Sequence, residues 1–231
     1  MPLAYQKKHA DYNPPNNGYV PNMVFAADIM ESSIYVAAFG APPAASTTSI
    51  VNAQSIATAV TLYRNQFVTP ASSYLAVAKF GAVVRVVASG AATSTIDVYG
   101  RDMYGQPMRE TITLNGATPV NGVKVFKTLD KIVFGVTAAT TASVGWGGIW
   151  GLPYKTTACL TEIADGVTAA AGTVTAPTLT DPATATTSEP RGKYTPTTTP
   201  DGSKQITAVF VADNSNNGTN GGLMGIAQYM G

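Results

Sequence analysis

Charged side chains are scarce in this sequence. They make up 12% of its 231 residues, about half of the roughly 25% found in an average soluble protein. The net charge is +1, and no long basic or acidic run stands out. The sequence therefore predicts no specific nucleic-acid partner and no attraction to an anionic membrane. Its polar surface must consist mainly of Thr, Ser, Asn, Gln and Gly, which suits a protein packed against neighbours.

Cysteine and histidine are each present once. A single thiol, Cys159, excludes an intrachain disulfide and a cysteine-rich metal site, and we expect it to be a small, half-buried strand residue. Any Ser–His or Cys–His catalytic pair would need His9, which lies in a polar, proline-flanked segment that is poorly suited to hold a catalytic geometry. We therefore predict that the protein is not an enzyme and that it uses no cofactor and no metal.

Paired carboxylates are the remaining route to hydrolytic chemistry, because two acids suffice for glycoside hydrolysis. The acidic residues are scattered along the sequence, and Asp97 and Asp102 are the nearest pair associated with strands. Asp97 lies in an alternating strand and Asp102 at the start of a turn. We interpret both as solvent-facing residues of a strand and a turn.

Long apolar runs are also missing. No stretch approaches the roughly 18 apolar residues of a membrane-spanning helix, and the first residues do not show the basic-then-apolar pattern of a signal peptide. We expect a protein that is made in a cytosol and is then soluble or assembled.

The sequence divides into three parts by composition. Residues 1–22 are polar and rich in Asn, Pro and Tyr, which predicts an extended arm. Its tyrosines, Tyr5, Tyr12 and Tyr19, are candidate anchors on a neighbouring subunit. Residues 23–212 are predicted to form one β-rich domain, and residues 213–231 a C-terminal tail.

The central part of the sequence predicts many short strands. Residues 95–100 and 108–114 flank a glycine-containing turn at Tyr104 and Gly105, which indicates a β-hairpin. Asn115–Gly116 and Asn121–Gly122 are predicted turns, whereas residues 23–39 and 49–63 fit a helix or a strand equally well. This pattern favours a mainly β fold, an antiparallel sandwich, jelly-roll or barrel-like core with long loops. Further predicted strands cover residues 74–88, 123–127, 131–136, 143–154 and 204–211, with strands and long loops across 156–189.

Three aromatic residues follow one another in a glycine-rich segment. Trp146 and Trp150 lie four positions apart in a bending strand, and Tyr154 comes next. We interpret the tryptophans as core residues or anchors of a subunit interface. The alternative is an exposed sugar-binding platform formed by all three.

Residues 96–112, IDVYGRDMYGQPMRETI, resemble a hairpin of tailed-bacteriophage virion proteins. The resemblance continues through VFKTLDKI at 125–132, GIWGLPY at 148–154, RGKYTP at 191–196 and PDGS at 200–203. Together these segments cover about half the sequence, and their order carries more weight than any one of them.

This resemblance implies a structural protein of the virion, located in the head and made in the cytoplasm of a bacterial host. A capsid decoration (cement) protein is the role it favours, with the major capsid protein of the same virion and further copies of itself, most simply in a trimer, as partners. The alternatives are a tail or head–tail joining subunit and a carbohydrate-binding or adhesin module. The resemblance does not extend to a major capsid protein, which needs a long helix.

Overall fold

The structure, a computed structural model, describes residues 32–68, 79–137, 140–178 and 189–213. These residues form strands joined by short loops, with a single 3-10 turn at Arg64–Gln66 and no α-helix among them. In chain order the strands are β1 (Ser32–Gly40), β2 (Val51–Ser55), β3 (Val60–Tyr63), β4 (Ala82–Ala88), β5 (Thr95–Arg101), β6 (Pro107–Thr113), β7 (Val120–Phe126), β8 (Thr128–Phe134), β9 (Thr141–Gly151), β10 (Thr156–Ala164), β11 (Val167–Ala169), β12 (Thr173–Thr175), β13 (Lys193–Thr195) and β14 (Ile206–Asp213).

The strands form three antiparallel sheets. Sheet A has the order β1-β14-β10-β11, and sheet C has the order β3-β8-β5-β6. Sheet B has the order β12-β13-β9-β4-β7, with β2 also paired to β9. One of the three curls into a half-barrel. The predicted mainly β, antiparallel fold is confirmed.

Strand formation follows the side-chain pattern. β4, with the sequence AVVRVVA, is almost entirely buried, as expected of a β-branched strand covered on both faces. β5 and β6 instead alternate buried and exposed positions, which is the pattern of a sheet with one solvated face. The two strands are joined by a turn at Gly105, whose φ of +83° is favourable for glycine. Their pairing confirms the predicted hairpin.

Buried aromatic rings join sheets A and B within a hydrophobic core to which all three sheets contribute. Phe39 of sheet A contacts Trp150 and Tyr194 of sheet B, with ring centroids 4.7 Å and 5.5 Å apart. Phe210 of sheet A meets Tyr194 edge-to-face at 4.9 Å. Such tilted and edge-to-face pairs of buried aromatic rings add to the stability gained by burying their area. The aromatic rings therefore fix how the two sheets stack.

The two segments whose sequence fits a helix or a strand equally well both form strands where the structure describes them. The segment 23–39 contributes β1, with residues 23–31 outside the described residues, and the segment 49–63 contributes β2 and β3. In the predicted 74–88 strand, residues 74–78 are also outside the described residues, and β4 begins at Ala82. The last strand ends at Asp213, the first residue of the predicted tail.

The predicted turn at Asn121–Gly122 is wrong. Both residues lie inside β7, and Gly122 is required there for a different reason. A Cβ atom at Gly122 would lie 2.7 Å from Oε2 of Glu110, so the glycine makes room for a buried carboxylate rather than for a turn.

Within the described residues, no helix is long and apolar enough to cross a membrane.

Candidate interaction surface

The edge strand β1 of sheet A carries apolar side chains on both faces of the sheet. Tyr35, Ala37 and Phe39 point toward sheet B, and Ala37 and Phe39 are each 1% exposed. The alternating positions point away from it, so that Ile34 and Val36 are 68% and 65% exposed. Since side chains alternate along a strand, a strand with apolar residues at both sets of positions buries one set and presents the other.

The neighbouring strands extend this apolar surface. Val211 lies beside Ile34 and Val209 beside Val36 in the register of β14 with β1, and on β10 Leu160 is 50% exposed at an irregularity in the pairing. None of the outward residues from Ile34 to Ala38 and from Thr207 to Val211 is charged. We call the following set the outer face of sheet A: Ile34, Val36, Ala38, Ala158, Leu160, Thr161, Ile163, Thr207, Val209 and Val211.

Among the described strands, the outer face of sheet A ends at a free edge, that of β1. β1 is the last strand of the sheet and pairs, among the described residues, with β14 alone. It is nine residues long and contains no Lys, Pro or acidic residue. Long apolar edge strands attract further strands unless charge, proline or another element protects them, so β1 is a surface that another chain can cover.

The first and the last described residues meet at one corner of sheet A. Ser32, the first, pairs with Asp213, the last. Tyr5, Tyr12 and Tyr19, the predicted anchors of the arm, lie outside the described residues.

The three aromatic residues of the 143–154 segment are not together on the surface. Trp146 and Trp150 are 6% and 1% exposed and belong to the core. Tyr154 is half-buried and meets Tyr35 edge-to-face at 5.1 Å. The core interpretation of the two tryptophans is the one that the structure shows, and the exposed platform of the sugar-binding alternative does not form from them. A role of these residues in subunit contacts stays a prediction.

The interpretation of Asp102 as a solvent-facing residue is wrong. Its side chain is 1% exposed and its Oδ2 accepts a 2.7 Å hydrogen bond from Nη2 of Arg191. Its Oδ1 accepts hydrogen bonds from the backbone N–H groups of Tyr104 and Gln106, so the same carboxylate also holds the hairpin turn. The acid is buried because the segment around Arg191, far away in sequence, covers the turn. Asp97 does face outward, where it pairs with Arg109 at 3.2 Å.

Further carboxylates are buried where β6, β7 and residues 189–193 meet. Oε2 and Oε1 of Glu110 accept hydrogen bonds from the backbone N–H groups of Val123 and Lys124, at 2.6 Å and 3.0 Å. Glu189 accepts one from the N–H of Val125 at 2.8 Å and lies 3.9 Å from Arg191. We call Asp102, Glu110, Glu189 and Arg191 the buried ionic junction.

Burial controls the protonation of this junction. It raises the pKa of Glu110 to about 7, against the opposing effect of the two backbone N–H donors and of Lys124. The pKa of Glu189 is likewise raised by burial and opposed by Arg191. Since these acids bind backbone amides and an arginine away from solvent, they join strands together. No pattern in the sequence predicts that these acids lie close together. Gly122, which makes room for Glu110, was interpreted from the sequence as part of a turn.

A fourth buried acid lies between sheets A and B. Glu162 on β10 is fully buried and accepts hydrogen bonds from the Tyr194 hydroxyl at 3.0 Å and from the N–H of Thr198 at 2.9 Å. Burial raises the pKa of Tyr194, and Cys159 beside it acts in the same direction. Cys159 is half-buried on β10, as predicted. Within the described ranges, no three His, Cys, Asp or Glu residues are arranged to hold a metal ion.

No known protein family, no curated protein sequence and no solved structure matches this chain.

Proposed function

We propose that this chain is a non-enzymatic structural protein of a tailed-bacteriophage virion, and that it stabilises the capsid as a decoration (cement) protein. It assembles with further copies of itself through the outer face of sheet A. The observation that carries this proposal is the uncharged, apolar outer face next to the open edge of β1. The proposed location, the head of the virion, is based on the resemblance of residues 96–112 to virion proteins.

Exposure of the apolar residues on this face is unfavourable in water. Ile34, Val36 and Leu160 are at least half exposed, and removing apolar area from water stabilises a complex by about 25 cal/mol per Å². Exposed apolar patches with polar surroundings mark interaction sites. The outer face of sheet A is therefore a surface that gains free energy from being covered.

A second copy of this chain is the occupant that fits this face best. A face without charge is complementary to itself, because no like charges meet when two copies approach. The edge of β1 supports the same pairing, since an antiparallel edge can pair with its own symmetry copy.

Oligomeric state tests the interface. We expect the full-length protein to form a discrete trimer or dimer in light scattering coupled to size exclusion, and Val36→Lys to shift it to a monomer, because a buried, unpaired ammonium opposes association. Val136→Lys is the matched control, since Val136 is 55% exposed and lies outside sheet A. A wild-type monomer, or equal oligomers in V36K and wild type, would contradict the interface.

Particle binding tests the decoration role separately. We expect deletion of residues 1–22 to leave the core folded and to weaken binding to phage heads that lack this protein, measured by co-sedimentation. Unchanged binding of the truncated protein would remove the arm from the capsid contact. A tail or head–tail joining subunit is the alternative, and larger rings in negative-stain electron microscopy would favour it.

A further inference from the structure

The outer side of sheet C carries a row of alternating rings and cations. Tyr63 on β3 pairs in register with Lys131 on β8, Lys131 with Tyr99 on β5, and Tyr99 with Arg109 on β6. Residues in register on one face of a sheet are direct neighbours. The row therefore spans all four strands of the sheet.

Cations cover the ring of Tyr99 in this row. The Nζ atom of Lys131 lies 4.4 Å and the Cζ atom of Arg109 lies 5.5 Å from the centroid of the Tyr99 ring. They come from the two strands that flank β5, so they approach the ring from opposite sides. The ring of Tyr63 at the end of the row is 54% exposed and presents the open aromatic surface.

An irregularity in β8 adds a carboxylate to the same place. The register of β5 with β8 shifts between Tyr99 and Gly100, which leaves Asp130 between the paired residues Leu129 and Lys131. Such bulges re-aim side chains, and here Asp130 lies beside Lys131. Asp130 forms an ion pair with Arg64, and its Oδ2 lies 3.5 Å from Nε of Arg101.

Together these residues line a surface groove of about 380 Å³. Its walls are Tyr63, Tyr99, Arg101, Pro107, Asp130 and Lys131. This volume is in the range of small-molecule sites, roughly 300–1,000 Å³, in which a few convergent polar groups orient the ligand. Because Arg101 and Lys131 outnumber the single carboxylate of Asp130 in its lining, the groove has an excess of positive charge and favours an anion.

We propose that this groove binds a saccharide that carries a carboxylate, with Tyr63 packing against the sugar ring. Arg101 and Lys131 bind the carboxylate, as charge-assisted donors do, and Asp130 accepts hydrogen bonds from sugar hydroxyls. The carbon-bound hydrogens on one side of a pyranose ring pack well against an exposed aromatic face. This site is independent of the outer face of sheet A and of assembly through it.

The composition of the groove favours a sugar over a nucleic-acid strand. Binding of single strands uses successive open ring faces and a track of cations along the phosphates. Here one of the two rings is already covered by cations, which leaves a single open ring, and Asp130 can accept hydrogen bonds from the hydroxyls of a sugar. Donors, an acceptor and one open ring within a single groove match a short, hydroxyl-rich anion.

The test is isothermal titration calorimetry of the full-length protein with the trisaccharide of galacturonic acid. We expect binding, and about tenfold weaker binding of the neutral trimethyl ester, since the ester removes the charge-assisted hydrogen bonds. Tyr63→Ala and Lys131→Gln should each weaken binding by about tenfold. Lys204→Gln, at an exposed lysine on another loop, is the matched control and should bind as wild type does.

Three outcomes would overturn the proposal. The first is no binding of the trisaccharide at millimolar concentration, and the second is equal binding by wild type and the two groove variants while their thermal unfolding is unchanged. The third is tighter binding of a thymidine hexanucleotide than of the trisaccharide, which would make the groove a nucleic-acid site. None of these results depends on the oligomeric state, so failure here is distinguishable from failure of the assembly proposal.

Discussion

The β5–β6 hairpin carries two aspartates, one near each end, and the fold puts them in opposite environments. Asp97 pairs with Arg109 on the solvated face of sheet C, where the two side chains are 23% and 45% exposed. Asp102 pairs with Arg191 at the turn, where both are at most 5% exposed. Exposed ion pairs contribute little because water and salt screen them, whereas breaking a buried pair leaves an uncompensated charge away from water. The same residue type therefore has a local role at one end and a fold-wide role at the other.

The largest effect is expected at the buried end. Asp102→Asn keeps an oxygen for the N–H groups of Tyr104 and Gln106 but places an NH₂ group opposite Nη2 of Arg191. Because this removes the carboxylate that Arg191 binds most closely and leaves Glu189 3.9 Å away, we expect the free energy of unfolding to fall by about 3–5 kcal/mol. Urea denaturation followed by fluorescence measures this free energy. A decrease no larger than that caused by Asp97→Asn would contradict a larger contribution of the buried ion pair.

Protonation of the buried ionic junction should make stability depend on pH. Burial raises the pKa of Glu110 to about 7 from its ordinary value of 4.5, so between these values the folded state binds more protons than the unfolded state. The free energy of unfolding should therefore fall by about 3 kcal/mol as the pH rises from 4.5 through 7. Lys124 and Lys193 face the same carboxylate and oppose the rise in its pKa.

Glu110→Gln checks this assignment through the slope of stability against pH, obtained from urea denaturation at a series of pH values. The variant should lose most of the slope and keep the part that comes from Glu189, whose pKa is also raised by burial. A slope equal to that of the wild type would mean that Glu110 does not titrate in this range.

A smaller loss is expected from filling the space beside Glu110. In Gly122→Ala, the new Cβ atom would lie 2.7 Å from Oε2 of Glu110, which forces the carboxylate away from its backbone donors. Crowding of this kind costs about 1–3 kcal/mol. Gly90→Ala is the control, since the nearest atom there is 4.0 Å away. Thermal unfolding should separate the two variants, and equal melting temperatures would refute the role given to Gly122.

The exposed end of the hairpin should tolerate change best. Asp97→Asn removes one charge from a pair that is open to water, so we expect the free energy of unfolding to change by at most about 1 kcal/mol. The free energy of unfolding should be measured at low and at high salt, because screening weakens an exposed ion pair and leaves a buried one nearly unaffected. A decrease in the free energy of unfolding close to that of Asp102→Asn would show that exposure does not determine how much these ion pairs stabilise the protein.

Predictions from the sequence succeeded where the cause is local. The β5–β6 hairpin follows from two alternating runs around Gly105, and β14 follows from a strand that starts after the turn at Asp201 and Gly202. The segment 49–63 stayed ambiguous because two short strands, β2 and β3, leave too few residues for a period to show. Gly122 was misread since the sequence gives its backbone preference but not its neighbour.

The strand-rich character of the chain, the positions of its main hairpin and final strand, and the scarcity of charge that makes the apolar outer face of sheet A possible all follow from the sequence alone. These properties depend on neighbours along the chain. Three contacts depend instead on the folded structure: that of Asp102 with Arg191, that of Glu110 with Gly122, and the row of Tyr63, Lys131 and Tyr99. Each joins separate segments of the chain, and the free energy of a charge or a ring depends on burial and partners, which exist only once the sheets have paired and packed.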